Sequence, residues 1–323
     1  MQGNRGQVQS DPVPTVLAPG NYDGVHRGHQ ALLARARAHA ATFEPAARTC
    51  VLTFDPHPLA VLAAERAPIP LTTPKRRREL LLGHGIDEVV IQPFDQGYAA
   101  QSPEEFVRTL LTFGTRAFVV GHDFRFGKRA AGDAATLEQL GQALGFSVLV
   151  EGPVAFEGAR VSSSAVRQAL SAGDVTRAAA LQDRYHDVSG TVVQGDQRGR
   201  QLGFPTANLV PDPVLTPADG VYAVMVRVLP DPTEPSDGPQ HALAGVANLG
   251  TRPTFAAGRS IEVHLFDVDR DLYGKRLRVA FVTRLRAECA FPNTTALKQQ
   301  ITADCTQARH HLAQLDPGRL AWI

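Results

Sequence analysis

Cysteine, lysine, tryptophan and net charge are all scarce in this chain of 323 residues. The three cysteines, Cys50, Cys289 and Cys305, are odd in number and widely spaced. They read as buried small hydrophobes in a reducing cytosol, which rules out a disulfide frame or a cysteine-rich zinc site. A net charge of +1 gives no field for non-specific binding to nucleic acid or to anionic lipid. Long apolar runs are missing too. The longest stretch without Asp, Glu, Lys or Arg is Gly238 to Thr251, 14 residues that include His, Pro and Gly. It is too short and too polar to span a bilayer. Met1 to Asp11 is polar and has no apolar h-region, so no secretory signal is expected. A cytoplasmic protein with neither membrane nor nucleic-acid partner is expected, a monomer or weak homo-oligomer. Any anion it holds must be held by local geometry.

What is present falls into two unlike halves. In the first, short apolar runs (Pro14–Leu17, Thr49–Phe54, Glu88–Ile91, Ala117–Val120, Phe146–Val150) alternate with helical stretches (His26–Thr42, Pro74–Leu82, Ala134–Leu144). Ser102-Pro103-Glu104-Glu105 adds a helix start, with a hydroxyl cap, proline at the first position and acids in the first turn. This alternation implies βαβ units, a parallel sheet with helices on both faces, and ligands at the carboxyl ends of the strands. In the second half Val188–Val193, Val221–Val228, Ala242–Val246, Ile261–Phe266 and Arg276–Val282 are short, β-rich and separated by Gly/Pro turns. They suggest a small antiparallel barrel. A last helix from Asn293-Thr294 carries the apolar stripe Leu297, Ile301, Cys305, Ala308 and Leu312. Asp231–Gln240 reads as an elongated, acidic hairpin loop. The boundary is placed near Arg184, giving domains 1–184 and 185–323.

The first constellation is Gly20-Asn21-Tyr22-Asp23-Gly24-Val25-His26-Arg27-Gly28-His29, between the first strand and the first helix. Gly20 and Gly24 permit backbone angles that residues with a Cβ avoid. His26 and His29 lie three apart and share a helix face, with Gly28 leaving room for a bulky anion. Unpaired first-turn N–H groups and the helix dipole favour negative charge there. Two imidazoles then complete a phosphate cradle through charge-assisted hydrogen bonds. A solvated His pair or two metal ligands are the competing readings.

Three further segments follow or end expected strands. Asp55, Pro56, His57 and Pro58 make a rigid turn. Asp123, Phe124, Arg125 and Phe126 alternate polar with aromatic, which fits either ring stacking or a half-buried strand end. Ser162, Ser163 and Ser164 precede Arg167, a pattern that helix N-capping also explains. In the carboxyl half, Gly195, Gly199 and Gly203 lead into Pro205-Thr206-Ala207-Asn208. Such a segment lets backbone N–H groups approach a phosphate, and Thr206 and Asn208 place two hard oxygens two residues apart, suited to Mg²⁺; a β-turn followed by a strand fits as well. Glu262, His264 and Phe266 share one face of a strand, where Glu262 is either a solvent-exposed residue or a base for an attacking hydroxyl. Of the five asparagines, Asn21, Asn208 and Asn248 fall within these stretches. Lys75-Arg76-Arg77-Arg78 reads as a solvated helix face, and no RNA affinity at physiological salt is expected of it.

The first half, with its HxGH run, TFDPHP, VVGHDFRFGKRAAGD and RVSSSAVRQAL, resembles the nucleotidylyltransferase module of bacterial FAD synthetases over most of the first 185 residues. PTAN, DGVYAV, VANLGTRPTF, EVHLFD and LYGKRLRV resemble riboflavin kinases over residues 186–310. Departures are Tyr22 for a usual Phe, Ser164 for Thr, Val268 for an aromatic, and RAECAF without its basic residue. The resemblance implies a Rossmann-like α/β domain joined to an all-β barrel with a terminal helix. It implies two activities. Riboflavin and ATP give FMN in the barrel, and FMN and ATP give FAD and pyrophosphate in the α/β domain, with Mg²⁺ as cofactor. The implied catalytic residues are His26, His29 and Glu262. The implied ATP contacts of the α/β domain are Gly20, Asn21, Tyr22, Asp23, Gly24, Gly28, Ser163, Ser164 and Arg167. Asp55, His57, Asp123, Phe124 and Arg125 would meet flavin or nucleotide. In the barrel Gly195, Arg198, Gly199, Gly203 and Pro205 would hold phosphate, and Thr206 and Asn208 the metal. The alternative keeps the adenylyltransferase and makes the barrel a non-catalytic flavin sensor.

Overall fold

A computed structural model describes residues 13–195, 199, 202–230, 242–251 and 259–323. The chain divides into two compact units, Met1–Pro68 with Pro74–Gly158, and Ile69–Thr73 with Ala159–Ile323.

The first unit is built on a five-stranded parallel sheet. Its strands are β1 (Thr15–Pro19), β2 (Arg48–Asp55), β3 (Glu88–Pro93), β4 (Thr115–Gly121) and β5 (Ser147–Glu151). Their order is β3-β2-β1-β4-β5. The chain moves outward from β1 to β3, then returns to β1's other side with β4. The direction therefore reverses between β1 and β4, and loops leaving the carboxyl ends there frame a crevice.

Both faces of the sheet are buried. Leu17, Leu52, Phe118 and Val120 join Phe106, Leu110, Leu137 and Phe146 in one core. That core includes residues of the helices Pro103–Leu111 and Ala134–Leu144. Val16, Ala18, Val51 and Val119 occupy the alternate positions and are fully buried as well. Helix α1 (Arg27–Ala40) runs against β1, β2 and β4. Next come α2 (Pro58–Leu62), α3 (Pro74–Gly83) and α4 (Gln96–Ala99). Helix α5 (Pro103–Leu111) starts as expected, with a capping box between Ser102 and Glu105, and α6 is Ala134–Leu144. A small ribbon of β6 (Ala155–Phe156) and β7 (Ala159–Arg160) follows β5.

The second unit carries α7 (Ser163–Ser171) and α8 (Val175–Gln182). Its centre is a closed barrel of β8 (His186–Val193), β9 (Ala207–Pro211), β10 (Gly220–Val228), β11 (Leu243–Thr251), β12 (Arg259–Leu265) and β13 (Arg276–Arg286). The order is β10-β11-β12-β9-β8-β13, and every pairing is antiparallel. Helix α9 (Thr294–Leu312), capped by Asn293 as read from the sequence, packs on β10, β11 and β13. Ala308 enters a cluster with Val221, Val246 and Phe266. A single turn, α10 (Pro317–Leu320), ends the described structure.

Two expectations are corrected. Cys289 is exposed, not a core residue, and its Sγ lies 3.2 Å from the Arg286 guanidinium. Arg76 and Arg77 are buried, so the basic run is not a uniformly solvated face. Arg76 stands four residues before the buried Leu80 and Arg77 four before the buried Leu81, on the same side of α3.

Candidate phosphate sites in the two units

In the first unit, the loop after β1 is held in an unusual shape. Tyr22, Gly24 and Val25 all have positive φ, at 50°, 82° and 38°. For Tyr22 and Val25 this is costly and persists only where surrounding contacts fix it. Here Tyr22 and Val25 are both buried. The Tyr22 hydroxyl donates to the Ala18 carbonyl, and the Val25 N–H donates to the Tyr22 carbonyl. Burial, with Cys50 nearby, pushes the Tyr22 phenol well above its ordinary pKa. Gly20 has an ordinary φ, contrary to expectation. Its hydrogen is required because a Cβ would sit 3.0 Å from the Tyr22 ring.

His26 is not a helix residue. It is the N-cap of α1, and its Nδ1 accepts the His29 backbone N–H at 3.3 Å. That bond uses the Nδ1 lone pair as its acceptor. The two imidazoles nonetheless share a face, as the spacing suggests. They stack with centroids 3.7 Å apart and 14° between planes. Burial holds the His29 pKa well below the ordinary 6.5, helped by His26 and by the Arg77 charge. Burial thus disfavours the charged form of His29 in the unliganded protein. The His29 Nδ1 is buried with no hydrogen-bond partner among the described residues. A buried, unpartnered ring nitrogen at the first turn of a helix suits a polar ligand.

Neighbouring strand ends bring in more expected residues. Asp55 is the last residue of β2, and the turn expected at 55–58 is the start of α2, capped by His57. His57 Nε2 lies 3.4 Å from Asn21 Nδ2, so the loops after β1 and β2 touch. Beyond β4, Phe124 and Phe126 stack at 5.4 Å, while Arg125 pairs with Asp133 at 2.9 Å. Asp123 is exposed on the same loop. Ser163, Ser164 and Arg167 belong to the second unit, on α7. There Ser162 is the cap, accepting from Ala165 N–H, and Arg167 Nε donates to the Ile69 carbonyl at 2.9 Å. Sequence reasoning missed Arg77, whose guanidinium donates to the carbonyls of Asn21 and Phe54 at 2.8 and 3.0 Å. Its spacing to Leu80 and Leu81 was the available signal.

In the second unit a polar row crosses three strands. Asn208 on β9 pairs with Glu262 on β12, and Glu262 pairs with Asn248 on β11. Directly opposed residues project from the same face. Ile261 and Val263, the strand neighbours of Glu262, are buried on the other face, inside the barrel. Asn208 is itself buried, and its Oδ1 has no hydrogen-bond partner among the described residues. Gly195 lies directly against it, since a Cβ there would fall within 2.4 Å of Asn208 Nδ2. Gly199 accepts the Phe204 N–H at 2.8 Å, and Thr206 stands near it, 3.3 Å from where a Cβ would be. The Pro205 carbonyl lies 2.8 Å from His264 Nδ1. Gly203 takes a positive φ of 86°. Asn248 Nδ2 donates to Glu288 at 3.2 Å, a partner the sequence did not suggest. Arg198 lies outside the described residues. No group of three His, Cys, Asp or Glu suited to a metal occurs among the described residues. The donor set here is oxygen-only, of the kind a hard cation takes.

The molecule thus joins a doubly wound sheet of nucleotide-binding type to a closed barrel, with a polar cluster in each. Family models for FAD synthetase and riboflavin kinase match residues 8–165 and 182–312. The chain is 38% identical to a bifunctional riboflavin kinase/FMN adenylyltransferase of Escherichia coli (strain K12) over 94% of both chains. It is 41% identical to that of Pseudomonas fluorescens, over 91% of this chain and 92% of that one. A crystal structure of a macrolide-efflux protein from Streptococcus pneumoniae is similar over 95% of this chain and 96% of its own, at a TM-score of 0.81 and 28% identity. The chain belongs to the family of bifunctional riboflavin kinase/FMN adenylyltransferases. Among the described residues no helix is long and apolar enough to cross a membrane.

Proposed function

We propose that this chain phosphorylates riboflavin to FMN at the Asn208–Glu262 row and adenylylates FMN to FAD at the His26–His29 cradle. ATP is the donor in both reactions. We assign the two activities to residues 185–323 and 1–184; the family matches end at 165 and resume at 182, while the second compact unit already begins at Ala159. The observation that carries the reading is that each unit has its own cluster with an unsatisfied polar atom, His29 Nδ1 in one and Asn208 Oδ1 in the other.

In the barrel, the riboflavin 5′-hydroxyl attacks the γ-phosphorus of ATP and ADP departs. Glu262 accepts the hydroxyl proton as the oxygen–phosphorus bond forms. The Thr206 hydroxyl and Asn208 Oδ1 would hold Mg²⁺, the unsatisfied amide oxygen being the observation that fits it. When bound, that ion draws charge from the nucleotide's phosphate oxygens. Gly195 and Gly199 let the backbone come close to the phosphates.

In the α/β unit, an FMN phosphate oxygen attacks the α-phosphorus of ATP and pyrophosphate leaves. No covalent enzyme intermediate is required, so the residues position and stabilise. His26 donates from Nε2, and His29 and the first-turn N–H groups of α1 face the developing charge. The test is direct. The pure protein, given riboflavin, ATP and Mg²⁺, should form FMN first and FAD later, resolved by chromatography. Unchanged riboflavin would exclude the kinase, and FMN that never becomes FAD would exclude the adenylyltransferase.

A further inference from the structure

We infer that Arg77 is a positioning residue for adenylyl transfer, fastening the loop after β1 to the end of β2 in the shape the phosphates require. This rests on the reading of the His26–His29 cradle given above.

Arg77 lies on α3, outside every segment whose pattern suggested function, and is only 5% exposed. One guanidinium nitrogen donates to the Asn21 carbonyl at 2.8 Å and another to the Phe54 carbonyl at 3.0 Å. Asn21 opens the phosphate loop, and Phe54 immediately precedes Asp55. A single planar group therefore spans the two chain segments that carry Asn21, Asp23 and Asp55. The Thr53 hydroxyl donates to the same Asn21 carbonyl at 2.9 Å, so that oxygen is held from two sides. The loop needs holding, because positive φ at Tyr22 and Val25 disfavours its shape in isolation.

The Arg77 guanidinium is buried, and burial lowers its pKa against the pull of Asp23 and Asp55. Its charge also acts on His29. The charge therefore sits behind the phosphate loop, in the field of both loop carboxylates and of the cradle. A helix residue thus sets the position of the groups that meet phosphate without meeting it itself.

The test uses the full chain, with FMN formation in the barrel as internal control. Arg77→Met should lower kcat for FAD formation about 10²-fold, the scale of a misplaced reacting group, while KM for ATP changes far less. FMN formation should stay at wild type. Arg77→Lys, which restores a charge and a donor, should recover much of the loss. Thr53→Val, nearly isosteric, removes the other bond to the Asn21 carbonyl and should lower the same kcat about 5-fold. Arg78→Met removes an exposed charge one residue along and should leave both rates unchanged. Wild-type kcat for FAD in a folded Arg77→Met overturns the proposal, whatever Thr53→Val does. If Arg77→Met does not fold, Thr53→Val decides alone: slowed adenylylation supports the proposal and an unchanged rate overturns it. A wild-type chain that makes FMN and no FAD overturns the reading of the cradle itself, and the proposal falls with it.

Discussion

Asn208 and Glu262 stand directly opposite each other across β9 and β12. One is a buried amide whose Oδ1 lacks a hydrogen-bond partner among the described residues, the other a half-buried carboxylate. A barrel that needed only stability would fill this pair with Thr or an apolar residue, because an unsatisfied buried polar atom costs about 1–3 kcal/mol. On the proposed function that cost is accepted because Asn208 would hold a hard cation and Glu262 would take a proton.

Glu262→Gln keeps the shape of the side chain and removes its ability to take a proton. Riboflavin phosphorylation should fall about 10²–10⁴-fold, the usual worth of a positioned base. FAD formation from supplied FMN should persist. Both rates come from one assay in which the flavins are separated over time, and a kinase rate near wild type removes Glu262 as the base.

Gly195→Ala tests the approach of the loop to Asn208. The new Cβ would fall within 2.4 Å of Asn208 Nδ2, and that side chain is buried, so the amide or the loop must move. Kinase kcat should drop about 10²-fold, as expected for displacement of a reacting-site group by 1 Å, with adenylylation unaffected. Equal rates in variant and wild type would show that the loop's position does not matter.

The periodic parts of this architecture were open to sequence reasoning, and the contextual parts were not. The strand Thr49–Phe54 stands out as a short, mostly apolar run of the kind buried on both faces, and the helix Ala134–Leu144 by apolar residues repeating at the helical period. Strand β9 does not: it is five residues long and begins within the polar PTAN run. The residues of the polar row appeared one at a time in the sequence, but only the barrel register places Asn248 and Asn208 on either side of Glu262. His26 was read as helical because a cap differs from a first-turn residue only in its backbone angles, here φ −74° and ψ 171°. Arg77 was hidden by its neighbours, since four basic residues in a row look alike until the helix period separates them. Asp304 was hidden in a similar way. On α9 it interrupts the apolar stripe, is buried, and pairs with Arg286 at 2.9 Å.

His29→Ala removes a half-buried ring from the cradle without touching the barrel. FMN formation should be unchanged and FAD formation should fall about 10²-fold, the scale of a lost stabilising donor. His26 stacks on the same ring, so its cap bond to the His29 N–H is expected to persist through the backbone alone. Loss of both activities together would show instead that the variant is misfolded.

The depressed pKa of His29 also makes a prediction about acid. In the unfolded chain this imidazole titrates near 6.5, whereas in the folded protein it stays neutral to a much lower pH because of its burial, His26 and Arg77. Below 6.5 the unfolded state therefore binds a proton that the native state refuses. The contribution of His29 to stability is complete above pH 6.5 and declines as pH falls, by at most about 1.4 kcal/mol per pH unit, until the folded-state pKa is reached. Urea unfolding of the wild type and of His29→Gln, measured at pH 7.5 and 5.5, isolates this term from the other titrating groups. The difference in stability between the two proteins should shift in favour of His29→Gln at the lower pH. A difference that does not change with pH would mean that the folded ring titrates as it does in the unfolded chain.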